Sequence, residues 1–141
     1  MVTVSPSWKY TLHLPHDPRA PGIARATLRL ILAAHELPDL APTAELLAAE
    51  LLANSHSHTK GPYALRLRSA EPGRLRVGVW DTDPHIPPRF LDAHTPAPPP
   101  DAEHGRGIPL LQSCADTWGA SVLHGLGTSE GGKLLWAECG R

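Results

Sequence analysis

The sequence predicts an α/β (α+β) two-layer sandwich: a mixed, mainly antiparallel sheet with three helices on one face and a proline-rich lid. Three observations carry that expectation. Segments that alternate polar and apolar residues, rich in strand formers, lie near both ends and in the middle of the chain. Segments in which Ala and Leu recur at three- and four-residue steps separate them. Prolines gather in one stretch, residues 94–104, too broken for regular structure and long for a simple connection. A sheet covered on one face by helices buries both kinds of amphipathic element. At 141 residues the chain is one domain, with a core over about 8–139 and a lid over about 85–106.

The elements follow in order. Residues 8–14, Trp-Lys-Tyr-Thr-Leu-His-Leu, alternate and read as a strand, which Pro15, Pro18 and Pro21 break. From Gly22 to Glu36 the pattern is helical, with Ile23, Ala26, Leu30, Ala33, Ala34 and Leu37 as its apolar stripe. Pro38 ends it. Thr43 is the expected N-cap of a second helix, Ala44 to His58. Residues 63–70 and 74–80 alternate around Glu71-Pro72-Gly73 and predict a hairpin. Arg89 to Ala93 has room for one helical turn. A third helix is expected from Ile108 to Trp118, with Pro109 acceptable in its first turn. Two last strands, 119–126 and 132–139, flank a Gly/Ser turn.

Composition narrows the function. Hydrophobic residues make up 41% of the chain and charged residues 19%, the balance of a globular protein. Thirteen basic and 14 acidic side chains give a net charge of −1, which excludes a broad basic surface for duplex DNA and a polybasic membrane tether. Neither direct nucleic-acid binding nor a membrane role is expected. No apolar run approaches the roughly 20 residues of a membrane helix. Met1 to Tyr10 holds one basic residue and no apolar core, so a cytoplasmic location is expected. Cys114 and Cys139 read as two small thiols rather than a disulfide framework. Trp8, Trp80, Trp118 and Trp136 read as packing for the sheet and its edges. Asparagine occurs once, as Asn54.

Four features carry chemistry. Glu50, Asn54 and His58 stand at i, i+4 and i+8, so they share one helix face beside Leu47 and Leu51. An amide oxygen near a carboxylate suits Mg²⁺, and a glutamate there can orient or deprotonate a nucleophile. Asp81 follows directly on an apolar strand, where a carboxylate can accept from an exocyclic amine, although aspartate also favours ordinary turns. Gly105-Arg106-Gly107 opens the third helix, and amides freed by glycine at a helix start bind anions. Gly131-Gly132-Lys133 leads into the last strand. His56 and His58 with His85, His94 and His104 are a weaker candidate for zinc, because residues two apart on a helix face different ways.

The order of these features, over roughly residues 18 to 139, resembles the GHKL (Bergerat-fold) histidine-kinase-like ATPase superfamily. Within it the chain is similar to the small anti-sigma-factor serine kinases. The resemblance implies an ATP-binding regulatory protein that transfers the ATP γ-phosphoryl to a serine or threonine of a partner protein, sequesters a sigma factor, or both. The implied partners are an anti-sigma antagonist and a sigma factor, and a homodimer is implied. The implied cofactors are ATP and Mg²⁺. By resemblance Asn54 ligates Mg²⁺ and Glu50 is the catalytic residue, as the base or by orienting the nucleophile. The ATP-binding positions are Asn54, His58, Asp81, Asp83, Gly105, Arg106, Gly107 and Ile108, with Asp81 on the adenine amine and Gly105-Arg106-Gly107 on the phosphates. The chain departs from the pattern where Asp83 stands in place of a glycine and where Leu134 stands for the threonine near the adenine. Those departures favour an alternative, a non-catalytic protein-binding module on the same fold with weak or no nucleotide binding.

Overall fold

A computed structural model describes residues 7–91, 114–123 and 131–141. The described elements are β1 (Trp8–Leu14), α1 (Ala20–Ala34), a 3₁₀ turn (Pro38–Leu40), α2 (Ala41–His58), β2 (Tyr63–Ser69), β3 (Arg74–Asp81), α3 (Pro88–Leu91), β4 (Thr117–Leu123) and β5 (Gly132–Gly140). The protein is an α+β fold. Its five strands form one sheet in the order β1-β2-β3-β5-β4, and every pairing is antiparallel. The expected mixed sheet is therefore corrected to an antiparallel one among the described residues. The β2–β3 hairpin turns at Gly73, whose φ of 73° is the left-handed conformation glycine adopts freely.

Among the described residues two long helices cover one face of the sheet, and of the expected third helix Cys114 is helical. The third does not reach Trp118, because Thr117 and Trp118 already belong to β4 and pair with Glu138 and Ala137. Residues 108–113 of that expected helix, and the lid segment 92–106, lie outside the described residues, as do positions 124–126 of the expected fourth strand. The expected turn at Arg89 is the short α3.

The core sits between α1, α2 and the inner face of β2, β3 and β5. Leu65, Leu67, Leu75, Val77, Val79 and Leu135 point inward from the strands, each 2% exposed or less. From α2, Ala44, Leu47, Ala48, Leu51 and Leu52 meet them. The α2 start differs from the expected one. The helix begins at Ala41 with Leu40 in the N-cap position, Pro42 in its first turn, and no side-chain cap. Thr43 therefore lies inside the helix.

The face of α1 is also different. Its buried residues are Ala20, Ala24, Leu28 and Leu32, one strict four-residue stripe. Ile23 and Leu30, expected to point inward, are 57% and 71% exposed. Both stripes have helical spacing, and the one with Ala20, Ala24, Leu28 and Leu32 is taken into the core. Leu28→Ala and Leu32→Ala are expected to destabilise the fold by about 2–5 kcal/mol, and Leu30→Ala by no more than about 0.5 kcal/mol, in urea unfolding.

Cys139 lies on the buried side of β5, 4% exposed, and burial pushes its thiol up to about 11. A thiol that keeps its proton is a poor nucleophile. At pH 8 Cys139 should stay unreactive toward a thiol reagent in the folded protein and react on unfolding. Because its pKa is raised, the stability it contributes is complete below about pH 9 and declines as the pH rises toward 11.

Candidate functional site

The site is built where the C-terminal part of α2 meets the ends of β3 and β5. β3 ends in Asp81, whose side chain points to the helix side of the sheet and is 0% exposed. Directly opposite on β5 is Lys133. It too points inward, at 1% exposure, which makes an ion pair buried on both sides. Lys133 Nζ donates to Asp81 Oδ1 at 2.9 Å and to the Asp83 carbonyl at 3.1 Å. The Asp83 backbone N–H donates to the same Oδ1 at 2.9 Å. From α2, the Ser55 hydroxyl donates to Asp81 Oδ2 at 2.7 Å.

A carboxylate offers about four acceptor positions. Three are used here, leaving one on Oδ2. The pair is tolerated in the core because both charges are met by further hydrogen bonds. Gly132 makes the geometry possible. Its φ is 139°, and a Cβ there would collide with the Asp81 carbonyl. Any side chain at 132 would push β5 off β3 at the point where Lys133 must reach Asp81.

The helix side is arranged by the α2 register. Glu50 and Asn54 are both half-buried, one turn apart, flanking the buried Leu51 and Ser55. Among the described residues Asn54 Oδ1 is buried with no hydrogen-bond donor. A lone buried amide oxygen is costly and fits a hard cation or a donor supplied from outside. His58, at the last position of α2, is exposed. The turn after α2 is tied to the turn after β3, since Thr59 and Thr82 share a hydrogen bond of 3.0 Å between hydroxyls.

The structure thus holds the residue after Asn54 on Asp81, with Glu50 one turn earlier on α2. It places Asp83 beside them through its backbone: its N–H faces Asp81 and its carbonyl faces Lys133, while its carboxylate caps His85 N–H at 3.0 Å. Gly105, Arg106, Gly107 and Ile108 lie outside the described residues. Among the described residues no group of three or more His, Cys, Asp or Glu side chains converges to hold a metal. His56 instead bonds the Tyr63 hydroxyl through Nδ1 at 2.8 Å and stacks on His16.

Two residues of the site were missed from sequence, Ser55 and Lys133. Both leave a signal. Ser55 follows Asn54 on the buried stripe, and a lysine inside an otherwise apolar strand needs a buried partner. Leu134, read as standing beside the adenine position, is on the opposite face of the sheet, across from Trp80. Strand alternation puts Lys133, not Leu134, next to Asp81.

No family model matches the chain. It is similar to an uncharacterized protein of Streptomyces coelicolor, 41% identical over 64 residues. The match spans 45% of this chain and 57% of that protein, so the chain covers little more than half of its relative's length. Among the described residues no helix is long and apolar enough to cross a membrane.

Removing one member of a buried pair strands the other charge. Lys133→Met should destabilise the protein by about 3–5 kcal/mol. The double variant Asp81→Leu/Lys133→Met should recover most of that loss, and the coupling is read from a double-mutant cycle in urea.

Proposed function

We propose that the protein is an ATP-binding regulatory protein of the anti-sigma-factor serine/threonine kinase type, acting on a partner protein. The observation that carries this reading is the bond from Ser55 to Asp81. It fastens the helix bearing Glu50 and Asn54 to the strand end bearing the carboxylate. The residue after Asn54 is thereby held against Asp81, 26 positions further along the chain. The orphaned Asn54 Oδ1 adds to it, as an oxygen without a donor that suits Mg²⁺.

In this reading Mg²⁺ supplies charge neutralisation on the phosphates when bound. Asn54 holds the metal through its side-chain oxygen. Glu50, one helical turn earlier, accepts the proton of the incoming serine or threonine hydroxyl as its oxygen bonds to the γ-phosphorus and ADP leaves. Asp81 accepts from the adenine amine. That last role has a condition: in the ligand-free protein Lys133 holds the carboxylate, so the base competes with an ammonium for it. The donors present fit the nucleotide only with Lys133 turned away.

A second reading is favoured by the same ion pair. If Lys133 stays on Asp81, the protein is a partner-binding module that does no chemistry.

Calorimetry with ATP and Mg²⁺ separates the two. The kinase reading predicts a binding isotherm for the wild type, tighter by on the order of tenfold in Lys133→Thr, where no ammonium competes. Flat titrations for both proteins leave only the binding module. Glu50→Ala should abolish phosphoryl transfer and leave nucleotide affinity within about twofold, because it removes a group used in the transition state.

A further inference from the structure

We infer that the uncovered face of the sheet is a docking surface for an acidic segment of a partner protein. Among the described residues the helices cover only one side. On the other, strand register places Lys9 of β1, Arg68 of β2 and Arg76 of β3 directly opposite one another in a row across three strands. Arg66 stands one row along, opposite Thr11 and Gly78. Like charges facing each other across strands destabilise a sheet. Only Arg76 is neutralised, by Glu138 at 3.2 Å. Among the described residues Lys9, Arg66 and Arg68 have no carboxylate partner, and all three are exposed.

These side chains wall a hollow of about 320 Å³. Gly78, Leu134 and Trp136 line it beside the cations, with Leu134 and Trp136 packed over Gly78. The surface therefore offers guanidinium and ammonium donors on one side and apolar contact on the other. The ligand it fits alternates carboxylates with apolar side chains.

Charge distribution selects protein over nucleic acid. With these four cations and Glu138 set aside, nine basic and thirteen acidic side chains remain in the chain. The positive field is thus local, and a long polyanion would run from it into repulsion. The Trp136 ring is also occupied: the Arg76 guanidinium lies 3.9 Å from its centre, and the ring fills the space over Gly119. It has no free platform for a stacking base.

The test uses the full chain and fluorescence anisotropy with two labelled probes at low salt. One is a short peptide alternating glutamate and leucine, the other an oligothymidylate of matched length. The peptide should bind the wild type, weaken as salt rises, and lose on the order of tenfold in affinity in Arg66→Glu/Arg68→Glu. Arg25→Glu, on the exposed side of α1, should leave it unchanged, and circular dichroism should give all three proteins the same spectrum. Failure of the peptide to bind, equal binding by the double variant, or tighter binding of the oligothymidylate would each overturn the inference. The inference does not need nucleotide binding, so it stands or falls apart from the kinase reading.

Discussion

The pairing of Asp81 with Lys133 is the constraint on which the site depends. It joins the end of β3 to the start of β5, and through the Ser55 hydroxyl it joins both to α2. Two charges in a core cost several kcal/mol to desolvate, and only a full set of hydrogen bonds offsets that. The chain supplies three further partners, the Ser55 hydroxyl, the Asp83 N–H and the Asp83 carbonyl, and Gly132 lets the strands close. A hydrophobic pair would hold the layers together with less loss. A polar pair at this position keeps a carboxylate and an ammonium buried between helix and sheet.

Much of the fold was legible because its signals are local. The β2–β3 hairpin announces itself by alternation on both sides of Glu71-Pro72-Gly73, and β1 and α2 were placed to within three residues. The inner face of α1 was not legible. Ile23 and Leu30 recur at helical spacing just as Ala20, Ala24, Leu28 and Leu32 do, and which face is buried is set by tertiary packing. The start of β4 was missed for a related reason: Thr117 and Trp118 suit a helix end by position, while their pairing with β5 is a tertiary fact.

The site was half legible. Helical spacing put Glu50 and Asn54 on one face, and a carboxylate at a strand end marked Asp81. What sequence spacing could not give was the occupancy of that carboxylate, because the partner lies 52 residues away on another strand. Parity along β5 was the available clue, since it turns Lys133 inward and Leu134 outward. The same parity sorts the cations of β1, β2 and β3 onto the open face, so a chain with almost no net charge carries a positive surface on one side of its sheet.

The central claim is that nucleotide and Lys133 compete for Asp81. A crystal structure of the protein with Mg²⁺ and a non-hydrolysable ATP analogue tests it most directly. The account predicts the adenine amine on Asp81, the Lys133 ammonium withdrawn from it, and Asn54 Oδ1 on the metal. An analogue bound with the Asp81–Lys133 pair intact, or a site that stays empty at saturating analogue, would contradict it.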